Sequence, residues 1–247
     1  MKAWRWEEYK KFFQLTIFRY FVLWFSLVPA IAVLFEKLPN EIKFQIGKDS
    51  FTIKPELPFS WQLLWLSSLF FVIALASYYI FCPRFIMKYN NYGDYLNYHH
   101  DHRWMSWEAC YLLKNNINRQ MFTERVVTKK FAVKIDENLV AIAREKGGFE
   151  KPIVTDLTTD FYFENNNEYY KLSFPHYVRK NDEDIIDEYA DKGMFYEIFG
   201  RYSASKTIAR FLILALLSIS FFLFIIVLLQ HIYHGGIYIF SWVKGIW

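Results

Sequence analysis

Residues Ser60–Cys82 read SWQLLWLSSLFFVIALASYYIFC, 23 positions without one charged side chain. At about 1.5 Å of rise per residue, a helix of this length crosses the roughly 30 Å hydrocarbon core of a bilayer. A helix on the surface of a soluble protein would show a polar face, and this stretch has none. Two further runs behave alike. Phe211–Gln230 (FLILALLSISFFLFIIVLLQ) is uncharged, and Phe13–Phe35 carries only Arg19. The sequence therefore predicts an α-helical membrane protein with three transmembrane helices and a small α+β cytoplasmic domain inserted between the second and third.

The predicted boundaries follow from these runs. They are a basic cytoplasmic tail (1–12), helix one (13–35), an extracytoplasmic loop (36–59), helix two (60–82), the α+β domain (83–207), helix three (208–230) and an aromatic tail (231–247). The first run is too long for the apolar region of a signal peptide, and no small-x-small cleavage motif follows it. Pro29 is expected to kink it. Arg19 lies about two turns from the expected membrane surface and can snorkel to the headgroups.

Lys and Arg placement sets the expected orientation. The first twelve residues hold four basic side chains. Arg84 and Lys88 follow helix two, and Arg201, Lys206 and Arg210 precede helix three. Basic flanks stay in the cytoplasm, which puts the N-terminus and the domain inside a bacterial inner membrane and the loop outside it. Trp4, Trp6, Trp61, Trp65 and Trp242 lie where aromatic side chains mark the membrane interface, beside the charges of Arg19, Arg84, Lys206 and Arg210. Gly235-Gly236 is expected to break the last helix, leaving the tail along the outer leaflet.

The formal net charge is +4, hydrophobic residues make up 54% and aromatic residues 21%; the mean hydropathy of +0.05 averages two unlike populations. Residues 83–207 hold 18 basic and 19 acidic side chains, so the domain has no basic stripe and no nucleic-acid signature. Two distant thiols, Cys82 and Cys110, specify neither a zinc site nor a disulfide framework.

Within the loop, Ile42–Ile46 and Ser50–Ile53 flank Gly47-Lys48-Asp49, a hairpin pattern. Within the domain, Leu157–Phe163 and Glu168–Phe174 flank Asn165-Asn166-Asn167, the second hairpin pattern. Pro83 is expected to end helix two. Trp104–Gln120 reads as helix, Phe122–Ile135 as strand because of Val126-Val127 and Val133, and Asn138–Lys146 as a helix stopped by Gly147-Gly148. Asp182–Phe199 reads as a helix with an acidic first turn.

The densest polar cluster surrounds His99, His100 and His102, with Asp101 between them. Three imidazoles and a carboxylate are metal-ligand chemistry, but the spacing fits no standard site, and a solvated polar segment is the simpler reading. Residues 200–207 echo a phosphate-binding loop, yet Ser205 stands where glycine is needed and no strand precedes it. Asp156, Asp160, Asp182 and Asp184 read as turn and cap carboxylates. No cofactor is expected. The membrane runs contain no glycine and no mid-depth Asp, Glu or His, which argues against a proton-coupled transporter. Ser67, Ser68, Ala74, Ala76, Ser77, Ser218 and Ser220 suit close helix packing.

A layout of few membrane helices around one small α+β domain resembles the small membrane effectors of bacterial anti-phage systems, such as those paired with retrons or cyclic-nucleotide signalling. The resemblance rests on architecture and transfers no site residue. A domain tethered at both ends between helices two and three is itself suited to coupling, so the leading expectation is a homo-oligomer in the lipid bilayer that perturbs the membrane when the domain senses a ligand or soluble protein partner. Two other functions fit the sequence. One is a non-enzymatic scaffold that recruits a soluble partner. The other is a membrane-surface enzyme using His99, His100 and His102.

Overall fold

The computed structural model describes residues 4–37, 42–46, 49–53, 59–100, 103–114, 119–156, 158–175, 178–180, 183–185 and 188–246. It divides into two compact units, Met1–Cys82 with Lys206–Trp247, and Pro83–Ser205. The second unit lies between helices α3 and α10 in the chain.

The first unit is built from helices α1 (Trp6–Phe13), α2 (Ile17–Glu36), α3 (Trp61–Phe81) and α10 (Thr207–Ile246), with hairpin β1 (Ile42–Ile46) and β2 (Asp49–Ile53) between α2 and α3. Two helices are long and apolar enough to cross a membrane, Trp61–Phe81 and Thr207–Ser241. Only 33% and 22% of their most apolar stretches are buried within the protein. The core helix of a soluble protein would be mostly covered by its neighbours; these leave their aliphatic side chains outside. The run Phe13–Phe35 is not one helix. It breaks at Gln14–Thr16 into α1 and α2, and the described apolar part of α2, Arg19–Leu34, is shorter than the other two. Gly235-Gly236 does not interrupt α10, contrary to the sequence expectation. Two glycines cost about 1 kcal/mol each within a helix, too little to break one of 40 residues whose other positions favour it.

The second unit runs α4 (Arg84–Lys88), α5 (Tyr92–Asn97), α6 (Arg103–Lys114), α7 (Arg119–Thr128), β3 (Ala132–Lys134), α8 (Glu137–Glu145), β4 (Ile153–Val154), β5 (Thr158–Asn165), β6 (Glu168–Pro175), β7 (Val178–Lys180), β8 (Glu183–Ile185) and α9 (Glu188–Ala204). Strands β3, β6, β5 and β4 form one antiparallel sheet in that order, and β7 pairs with β8. The long hairpin is in register from Thr158↔Pro175 to Asn165↔Glu168. Its two-residue turn, Asn166-Asn167, has φ of +52° and +60°. That is the primed turn geometry which matches strand twist, and asparagine tolerates it. Phe161, Phe163, Leu172 and Phe174 are buried on the sheet, and α6 packs on β5 and β6.

Helix α8 shows both end signals. Asp136 Oδ1 accepts from Leu139 N at 3.0 Å, and Gly148 N donates back to Ala143 O at 2.7 Å across the left-handed Gly147 (φ +69°). Two expectations fail here. Phe122–Thr128 is helix, because Phe122, Thr123 and Val126 lie on one face and are buried at helical spacing, and only Ala132–Lys134 is strand. The acidic run does not open a helix at Asp182: Glu183–Ile185 is strand β8, and α9 begins at Glu188.

Candidate functional site

The α3–α10 pair is the backbone of the first unit. Ser60 caps α3, with Oγ accepting from Leu63 N, and its own N–H donates to Gln230 Oε1 at 3.0 Å. At the other end, Lys206 Nζ donates to Phe81 O at 2.8 Å, placing a cation on the negative end of α3. The two helices are thus antiparallel and matched from Ser60 with Gln230 to Phe81 with Lys206. Midway, Ser67 Oγ donates to Ser220 O and Ser220 Oγ donates to Ser67 O, each at 2.8 Å, and both residues are buried. Small side chains let the two backbones approach closely enough for each hydroxyl to reach the other's carbonyl. Helix α2 adds Val28 to the cluster of Leu64 and Val227, and Phe21 stacks on Phe71 at 5.1 Å.

Amphipathic α1 seals the Lys206 end. Tyr9 OH donates to Arg210 O at 2.7 Å, and Arg210 Nη1 donates to Trp4 O at 2.8 Å. Arg210 is only 6% exposed, and Trp6 is fully buried against Tyr9 and Tyr78. Both side chains, singled out in the sequence as interface residues, are packed against other parts of the first unit. Trp4, Arg19, Arg84 and Lys206 remain exposed, Trp61 and Trp65 are half-buried beside the Val28 cluster, and the Trp242 side chain lies outside the described residues.

In the second unit the polar side chains converge where α4, α6 and α9 meet. Phe195 is fully buried among Phe85, Tyr89, Tyr92, Tyr95 and Phe199. Phe85 stacks on Tyr202 at 5.4 Å, and Tyr202 OH donates to Glu108 Oε2 at 2.5 Å. Burial raises the Glu108 carboxyl above its ordinary range despite that bond and the positive charge of Lys88, and burial likewise raises the Tyr202 phenol. Tyr89 is pushed up to about 12 by burial, then by the negative charge of Glu108. Lys88 Nζ donates to His100 Nε2 at 2.8 Å and lies over the Tyr98 ring, 4.6 Å from its centroid. A lysine has only donors, so Nε2 is the unprotonated ring nitrogen. Burial and then the Lys88 charge lower the His100 pKa. Tyr98 stacks parallel on the His100 ring, and Trp104 tilts against it at 5.3 Å.

Comparison with protein-family models, with curated proteins and with solved structures returns no match.

Of the predicted metal ligands, His99 takes a left-handed backbone (φ +49°) and His100 takes part in the lysine and aromatic stack just described, while His102 lies outside the described residues. Among the described residues no three His, Cys, Asp or Glu side chains are grouped to hold a metal ion. Cys82 and Cys110 are both buried. On the other side of α9, Glu197 is held by Arg125 Nη2 at 3.0 Å and by Lys129 Nζ, both from α7. Burial alone would raise the Glu197 pKa, but the two hydrogen bonds and the two charges outweigh it and lower the pKa. Sequence reading missed Glu108, Tyr202 and Glu197. The available signal for Glu108 was a lone carboxylate flanked by Trp104, Trp107 and Tyr111 in a helix otherwise free of acids.

Proposed function

We propose that this chain is a multi-pass inner-membrane sensor-effector with a cytoplasmic N-terminus. The inserted unit responds to a ligand or protein partner, and α3 and α10 rearrange or oligomerise to perturb the bilayer, as in an anti-phage effector. The observation that carries this reading is the way the second unit is inserted. The unit begins two residues after α3 and ends two residues before α10, and those helices are bonded to each other at both ends and in the middle. A change in the unit's shape is therefore passed to both helices at one end of a packed pair rather than to a loose linker. The apolar residues left exposed on both helices fit lipid and not water. The third span in this reading is α2, whose Pro29 sits inside the helix.

The test is inducible expression in a bacterial host, with and without the neighbouring genes, read by a membrane-potential dye and propidium uptake. Rapid depolarisation that persists in His99→Ala, His100→Ala and His102→Ala is the expected result. Absence of depolarisation under every triggering condition would overturn the effector reading. Dependence on the histidines would point instead to chemistry at the His100 stack.

A further inference from the structure

Exposed aromatic side chains in the second unit are unevenly placed. Among the described residues there are five: Tyr98, Trp104, Trp107, Tyr111 and Tyr196. All lie on α6, α9 or the segment following α5. The sheet, α7 and α8 expose large aliphatic side chains or Met121 but no aromatic ring. Trp104, Trp107 and Tyr111 are spaced i, i+3, i+7, so they form one face of α6, and they are 58%, 50% and 56% exposed. The opposite face holds Met105, Ala109, Cys110, Leu112 and Leu113, all buried. Helix α6 is therefore amphipathic in an unusual sense: aliphatic inward and indole outward. The outward face opens with the exposed Arg103, and its one carboxyl, Glu108, is half-buried and accepts a hydrogen bond from Tyr202.

We propose that this face of α6 docks on the anionic headgroup surface of the membrane that α3 and α10 cross. The inference rests on the membrane reading above. Indole and phenol rings prefer the boundary between headgroups and acyl chains, where the ring is desolvated and its N–H or O–H stays wet. The helices that carry or adjoin the face are those leading into the membrane pair. Tyr202, bonded to Glu108 and stacked on Tyr111, is three residues from the end of the unit, and Phe85, stacked on Tyr202, is two residues past its start. Arg103 and Lys88 supply the charge for acidic lipids. Docking gives the unit two arrangements, surface-bound and released, and a ligand that binds only one of them controls what α3 and α10 experience.

The test places a small environment-sensitive fluorophore on Trp107→Cys in the full chain, reconstituted in nanodiscs of zwitterionic or mixed zwitterionic and anionic phospholipid carrying headgroup-level quenchers. A label at Lys146→Cys on α8 is the aqueous control, and a label at Phe222→Cys on α10 with acyl-chain quenchers is the membrane control. The expected result is loss of most of the Trp107→Cys signal in anionic nanodiscs, with none at Lys146→Cys. Arg103→Gln is expected to shift the docked-to-released ratio about fivefold toward release, the equivalent of about 1 kcal/mol per basic side chain at such a surface. Equal quenching at positions 107 and 146, or no quenching at 107, overturns the docking. Protection of position 107 from both lipid and aqueous quenchers also overturns it, because a protein then covers the face. If Phe222→Cys is not quenched either, the membrane reading itself fails; if only position 107 is silent, that reading stands.

Discussion

Cutting the two serine hydroxyls between α3 and α10 gives a sharp energetic prediction. Ser67 and Ser220 each donate to the other's backbone carbonyl at 2.8 Å, while the two hydroxyl oxygens are 3.5 Å apart. In Ser67→Ala the carbonyl of residue 67 remains, so the Ser220 bond survives, and the converse holds in Ser220→Ala. Hydrogen bonds between membrane helices contribute about 0.6 kcal/mol on average and up to about 1.7. Each single variant should therefore lose about 0.6–1.7 kcal/mol of helix association, and the double variant about twice that. Contacting residues normally couple. Here the coupling energy should stay below about 0.5 kcal/mol, because each acceptor is main chain. Ser68 is an internal control: equally buried, it bonds Leu64 O within α3, and Ser68→Ala should cost nothing in association. SDS titration of the full chain in mixed micelles, read by energy transfer between labels on α3 and α10, measures all four variants. A coupling energy near 1 kcal/mol or more, or a loss in Ser68→Ala equal to that in Ser67→Ala, would refute the reciprocal geometry.

Two glutamates should give opposite pH signatures. Glu197 has a lowered pKa, so its contribution is present above its ordinary value of 4.5 and is lost as pH falls through the lowered one; Glu197→Gln should cost about 1–3 kcal/mol at neutral pH and flatten the acid limb of the denaturation profile. Glu108 has a raised pKa, so its favourable contribution belongs to the protonated form and fades as pH rises through the raised value; Glu108→Gln keeps an acceptor for Tyr202 and should be at least as stable as the native chain at neutral pH. A Cβ at Gly148 would sit 2.6 Å from Tyr162 Cδ2 and 2.8 Å from Ile153 Cδ1, so Gly148→Ala should lower stability by about 1–3 kcal/mol. Nothing lies within 4 Å of the corresponding position at Gly200 inside α9, and Gly200→Ala should raise stability by about 0.5–1 kcal/mol. Thermal and urea denaturation of the purified chain checks both glycine substitutions.

Two of the apolar runs were readable as long helices because some twenty consecutive uncharged residues leave no polar face. Both hairpins were readable because strand pattern and turn residues agreed. Misreadings arose where local preference and tertiary packing diverge. Val126-Val127 favours a strand in isolation, but Phe122 and Val126 fall on one helical face and bury it. The burial of Arg210 and Trp6 was not legible either, because it depends on how α1 packs against α3 and α10. The Lys88–His100 pair and the Glu108–Tyr202 bond join residues 12 and 94 positions apart, and a single chain read without its fold carries no sign of the second contact.

The lengths of the paired helices carry a further consequence. Helix α3 has 21 residues and rises about 31 Å, close to one hydrocarbon thickness, whereas the apolar stretch Thr207–Ser241 of α10 has 35 and rises about 52 Å. Fitting the longer stretch within a 30 Å slab needs a tilt of about 55°, outside the usual 0–40° range. The bonds from Gln230 to Ser60 and from Lys206 to Phe81 tie α10 to the shorter helix, so the mismatch collects in the turns after Gln230, where Ile232, Tyr233 and Ile237 are exposed. If the pair crosses a bilayer as proposed, a thicker one would cover more of those turns and a thinner one fewer, each ångström changing the energy by a fraction of a kcal/mol. In the membrane reading proposed above, the difference in length between the two helices would set the bilayer thickness that suits the chain.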